Sequence, residues 1–120
     1  MSEWKIIAVD FDGTLCRDAY PNIGEPNLRL IALLQQLQKR GCKLILWTCR
    51  CGALLEEALS WCRQFQVQFD AVNENVEETI QTYGTDSRKI FADVYIDDKC
   101  CFPWQEMEAH REEMEYGKNA

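Results

Sequence analysis

The chain has no apolar run that approaches the length of a bilayer-crossing helix, so no membrane span is expected. Its opening, Met-Ser-Glu-Trp-Lys, lacks the basic flank and apolar centre of an export signal. A cytoplasmic location is the expectation. Positive charge is also scarce: 13 Lys and Arg stand against 20 Asp and Glu, a net charge of −7. Nucleic-acid backbones are bound by clustered cations, so such a partner is disfavoured. A small phosphorylated substrate is not disfavoured, because a metal and a few local cations outweigh the global field. No internal repeat, low-complexity segment or linker interrupts the 120 residues, which predicts one domain over 1–120. With 47% hydrophobic and 28% charged residues, the composition excludes a disordered chain.

Cysteine, by contrast, is abundant, with seven residues in a chain that carries no export signal. Reduced thiols are therefore expected. Cys42 and Cys62 fall on apolar faces and act there as small hydrophobes. Cys49, Cys51, Cys100 and Cys101 follow predicted strands. Their Cys-x-Cys and Cys-Cys spacings match zinc-ligand patterns poorly, so inert thiols are favoured over a zinc site.

An apolar strand over residues 4–9 opens the chain. Residues 12–26 hold Gly13, Pro21, Gly24 and Pro26 and read as a loop or flap. Pro26-Asn27 opens a helix with Leu30, Leu33, Leu34 and Leu37 at helical spacing, and Gly41 closes it. Residues 42–47 form a second apolar strand ending at Thr48, and 52–65 a second amphipathic helix. A short strand over 67–72, a weaker helix over 77–83, a strand over 91–96 and a charged helix over 104–116 complete the order. Strands alternating with helices predict an α/β fold, a Rossmann-like parallel sheet flanked by helices. The connections leave no room for a cap domain inside the flap or after Thr48.

Three strand ends carry the chemistry. Ile-Ile-Ala-Val-Asp-Phe-Asp-Gly-Thr-Leu, residues 6–15, brings Asp10 and Asp12 to a carboxyl-terminal sheet edge, where open α/β folds bind ligands. Residues i and i+2 of an extended segment point the same way, so both carboxylates reach one centre. Their mutual repulsion asks for a proton or a hard cation such as Mg²⁺. Taken alone, Asp10 to Gly13 also fits a strand running into an Asp-Gly turn, with both acids solvated. Thr48 ends Leu-Ile-Leu-Trp-Thr-Cys-Arg, its hydroxyl at the same edge and with backbone N–H groups beyond it. Asp97-Asp98 end Val-Tyr-Ile-Asp-Asp-Lys. Upstream of that strand, Ser87-Arg88-Lys89 supplies two cations.

Taken in chain order, the segments resemble the four motifs of the haloacid dehalogenase-like (HAD) hydrolase superfamily, over residues 6–98. A receiver domain, the nearest Mg²⁺-binding rival, fails on motif order. The resemblance implies a capless Mg²⁺-dependent phosphatase. Asp10 would be the nucleophile that takes the phosphoryl group, and Asp12 the acid and base, with its backbone carbonyl on the metal. Asp97 would complete the metal ligands, with Asp98 a second ligand or an outer-shell orienter. Thr48 and Lys89 would hold the phosphoryl group, Arg88 competing with Lys89. Gly13 and Thr14 would approach the substrate closely, and Cys49 and Arg50 would contact it beyond Thr48. The Asn73-Glu74-Asn75 turn lies at the same edge, as a pocket wall or a polar turn. The implied partner is a phosphorylated small molecule or a phosphate displayed on a macromolecule. Homo-oligomerisation stays open. The alternative is a HAD-like fold kept as a phospho-ligand binding or regulatory module with little hydrolysis.

Overall fold

Four short, largely apolar segments pair side by side into one parallel sheet. The computed structural model describes residues 4–87 and 89–99. In chain order, β1 (Ile6–Val9) is followed by β2 (Cys16–Ala19), β3 (Asn22–Pro26), α1 (Leu28–Lys39) and β4 (Lys43–Leu46). Then come α2 (Gly52–Gln64), β5 (Ala71–Val72), α3 (Glu77–Tyr83) and β6 (Val94–Ile96). A parallel sheet has the order β5-β4-β1-β6, and β2 with β3 forms a separate antiparallel hairpin.

Alternation along the strands supplies two apolar faces. Ile7, Val9, Leu44 and Leu46 pack with Leu30, Ile31, Leu34 and Leu37 of α1 and Ala58 and Cys62 of α2. Full burial of one such leucine contributes about 2 kcal/mol. On the other face, Ala8, Ile45 and Ala71 meet Val76 and Ile90. The architecture is therefore α/β, a parallel sheet flanked by helices. Asn27 fixes the start of α1: its side chain accepts from the Leu30 N–H at 3.2 Å and donates to the Thr14 carbonyl at 3.0 Å. The cap thereby ties the helix to the loop that follows β1.

Three segments differ from expectation. Residues 12–26 contain a hairpin rather than a loop. Gly24 permits it, since a Cβ there would stand 2.2 Å from the Arg17 carbonyl oxygen. The strand expected over 67–72 shrinks to Ala71–Val72. Val67 is drawn instead to the end of α2, its N–H on the Cys62 carbonyl at 3.0 Å. β6 starts at Val94 because Phe91 N–H goes to Asn75 Oδ1, and Asp93 Oδ2 accepts from the Lys5 and Ile6 N–H groups. The helix expected over 104–116 lies outside the described residues. No helix among those described is long and apolar enough to cross a membrane.

From β1 the chain steps outward through β4 to β5, then returns to lay β6 on the other side of β1. The order reverses between β1 and β6, and ligands of open parallel sheets bind at the carboxyl side of such a reversal.

Candidate active site

Register decides what gathers at that edge. Val9 pairs with both Leu46 and Ile96, and Leu46 pairs with Val72. One residue further along each strand lie Asp10, Trp47, Asp97 and Asn73, and all four line one cavity of about 620 Å³. Asp12, Thr48, Cys49 and Asp98 line it too, joined by Asp18 from the hairpin and by Lys99.

Asp10, Asp97 and Asp98 each offer a carboxylate oxygen, and these atoms lie within 4.8 Å of one another. Burial pushes the Asp10 carboxyl above the usual range, and the charges of Asp97 and Asp98 push it further. Hydrogen bonds from the Phe11 N–H and the Thr14 hydroxyl offset part of that rise. Asp98 is raised as well, first through its side-chain contact with Asp97. Three oxygen donors that repel one another are a set that a hard divalent cation suits.

The loop after β1 holds this cluster together. Thr14 is buried, its hydroxyl donating to Asp10 Oδ2 at 3.1 Å and accepting from the Asp98 N–H at 3.0 Å. The side chain thereby braces the acids. Gly13 has φ +83°, and a Cβ there would stand 2.5 Å from Asp98 Oδ2. Glycine alone meets both demands at low cost. The Asp97-Asp98 turn is fixed from its far side by the Lys99 N–H, which donates to Asp97 Oδ1 at 2.9 Å.

Asn73 has a part that its sequence position only hinted at. Its side-chain amide accepts from the Thr48 N–H and donates to the Thr48 carbonyl, both at 2.8 Å. That pairing imitates a strand and sets the height of Thr48 at the cavity. The Thr48 Oγ1 accepts from the Arg50 N–H at 3.1 Å. Asn75 turns away, holding Asp86, Ser87 and Phe91.

Arg50 and Lys89 stand elsewhere than expected. Arg50 is 2% exposed, and its side chain does not line the cavity. Nε and Nη2 grip Asp12 at 2.9 and 2.7 Å, and the remaining N–H groups reach the carbonyls of Pro21, Asn22 and Leu54. The guanidinium carbon lies 5.0 Å from the Phe11 ring centroid and 5.2 Å from that of Tyr20. All five donors are used, so none is left for a second anionic group of a substrate. The Asp12 hydrogen bond is the main cause that raises the Arg50 pKa. Asp12 lines the cavity, but its carboxylate faces this guanidinium and is not part of the three-acid cluster. Lys89 lines a separate cavity of about 370 Å³ with Asn75, Thr79 and Tyr83. Arg88 lies outside the described residues. Lys99 was not assigned a role from the sequence; its only signal there is adjacency to Asp98.

Cys49 and Cys51 are exposed, and among the described residues no cysteine belongs to a possible metal-ligand cluster. Cys100 and Cys101 lie outside the described residues. Burial pushes the Cys62 thiol up to about 12 and raises that of Cys16. The thiolate is the reactive species. Brief iodoacetamide treatment of the folded protein should therefore label Cys49 and Cys51 and spare Cys16 and Cys62. Peptide mapping by mass spectrometry reads this directly, and early labelling of Cys62 would contradict the burial argument.

No family model and no curated protein matches the sequence. Among solved structures, the fold is similar to that of a conserved protein from Bacteroides thetaiotaomicron, with TM-score 0.72. The two chains are 39% identical over 91% of this one and 90% of the other. An identity of that size across nearly all of both chains marks common descent, and this chain belongs to the same family as that conserved Bacteroides protein.

Proposed function

We propose that the protein is a Mg²⁺-dependent phosphatase that hydrolyses phosphomonoesters through an aspartyl-phosphate, a capless Rossmann-like member of the HAD type. The observation that carries the proposal is the meeting of Asp10, Asp97 and Asp98 with Thr48 in one cavity at the reversal of a parallel sheet. Asp10, Asp97 and Asp98 would hold the cation. Bound there, it supplies positive charge to phosphoryl oxygens.

The chain's own groups divide the remaining work. A carboxylate oxygen of Asp10 attacks phosphorus, the bond to the leaving oxygen breaks, and that oxygen takes a proton from Asp12. Water then attacks the aspartyl-phosphate, its proton passes to Asp12, and the bond to Asp10 breaks. Thr14 keeps Asp10 aimed, and the Thr48 hydroxyl donates to a phosphoryl oxygen. The stretch between β1 and α1 is a hairpin, and a few residues join β4 to α2. Selection among phosphorylated small molecules, or phosphates displayed on a macromolecule, then falls to Asp18 of the hairpin and to Trp47 and Cys49. Hydrolysis of p-nitrophenyl phosphate should require Mg²⁺ and stop in excess chelator; turnover indifferent to chelation sinks the proposal.

One observation favours a second reading, a phospho-ligand binding module of the same fold. Both Asp12 oxygens are held by Arg50. Mg²⁺-dependent phosphate binding without release from any member of a broad phosphoester panel would establish that reading.

A further inference from the structure

The cavity is electrically one-sided. Asp10, Asp12, Asp18, Asp97 and Asp98 line it against a single cation among the described residues, Lys99. A phosphoryl group entering this space brings more negative charge. Even with a divalent cation bound, its outer oxygens need a donor on the protein. Of the other cations with a claim by sequence, Arg88 lies outside the described residues, and geometry removes Arg50 and Lys89. Arg50 has no N–H to spare, as its five donors go to Asp12 and three carbonyls. Lys89 lines the other cavity, and its carbonyl accepts from the Ser87 hydroxyl at 2.8 Å, turning that segment toward Asn75.

We infer that Lys99 is the catalytic cation that meets the transferred phosphoryl group, and that Lys89 has no part in it. The inference rests on the phosphatase reading and names a residue that reading leaves open. Lys99 leaves a turn pinned at two points, by its own N–H on Asp97 and by the Asp98 N–H on Thr14. Its stem therefore starts beside the acid cluster, and a four-carbon chain with a compact ammonium reaches across a short gap without a preset fork. Arg50 being spoken for has a second consequence. A substrate with one phosphoryl group is matched by Lys99, whereas a second phosphate finds no further cation in this cavity among the described residues.

The test uses the full chain as wild type, Lys99→Ala, Lys99→Arg and Lys89→Ala. Inorganic phosphate is titrated calorimetrically in Mg²⁺, and kcat/KM is measured with p-nitrophenyl phosphate. Lys99→Ala should weaken phosphate binding and lower kcat/KM, the latter by about 100-fold. Lys99→Arg should recover part of both losses. Lys89→Ala, an exposed position, should stay within about twofold on both. Lys99→Ala matching wild type overturns the inference, as does an equal loss in Lys89→Ala or no phosphate binding by wild type. If wild type binds phosphate through Lys99 but turns nothing over, the phosphatase reading falls and the phosphate contact stands.

Discussion

Asp10→Asn is expected to lower kcat on the order of 10⁴-fold or more while the fold survives. The change keeps the size of the side chain and removes the charged oxygen that attacks phosphorus. Its effect on stability should run the other way. The folded Asp10 pKa lies above the ordinary value, chiefly through burial and then through Asp97 and Asp98. Over the window between those values the folded chain holds a proton that the unfolded chain has lost. Stability from this group is therefore present at low pH and lost as pH rises through the folded pKa. At neutral pH without metal, an ionised Asp10 works against folding, and asparagine removes that cost. The variant should melt no lower than wild type in metal-free buffer. Added Mg²⁺ should raise the wild-type melting temperature and move the variant much less. Retained turnover would remove Asp10 from the nucleophile role, and a far lower melting temperature would contradict the electrostatic account.

How much of this site is legible in the sequence depends on where the partners of each residue come from. Asp10 and Asp97 are readable because a buried strand is an apolar run, and the polar residue that ends it marks the sheet edge. The bounds of α1 are readable for a local reason, since Asn27 caps three residues ahead. β5 is overextended because propensity sees Val67 to Val72, while only Ala71 and Val72 find β4 beside them. The hairpin is missed because Gly and Pro punctuate loops and hairpins alike, and only the approach of Gly24 to Arg17 tells them apart. Arg50 shows a charge near Thr48, yet its burial comes from Asp12, Phe11 and Tyr20, which lie far off in sequence. Lys89 precedes the strand of Asp97 in the chain and still lines a different cavity, because Asp86, Ser87 and Phe91 on either side of it are tied down by Asn75. Nearness in sequence singles out Lys89, whereas Lys99, in the turn after β6, is the lysine that lines the cavity of the acids.

Arg50→Ala should destabilise the protein by about 3 kcal/mol, measured by urea unfolding, because it strips a buried pair of one partner. The side chain is fully buried, its Asp12 partner 20% exposed, and the guanidinium also ties two hairpin carbonyls to α2. Arg50→Lys should recover little, since a point charge replaces neither the two-pronged grip nor the ring stacking. Asp12→Ala should cost a similar amount by leaving the guanidinium unpaired. The double variant Asp12→Ala/Arg50→Ala should lose clearly less than the two single losses together, which is the mark of direct coupling. A purely additive pair would mean that the contact carries no coupling energy. The same pair bears on chemistry, because Asp12 serves as proton donor only if its carboxyl is released from Arg50 toward the leaving group. Asp12→Asn then separates the two roles by leaving group. An alkyl phosphate needs the proton as its oxygen departs, whereas an activated aryl phosphate departs without it. The first step should therefore fall much more for the alkyl ester than for the aryl ester, as read by single-turnover kinetics. Equal losses would remove Asp12 from acid catalysis and leave it as the anchor that Arg50 uses to hold the hairpin over the site.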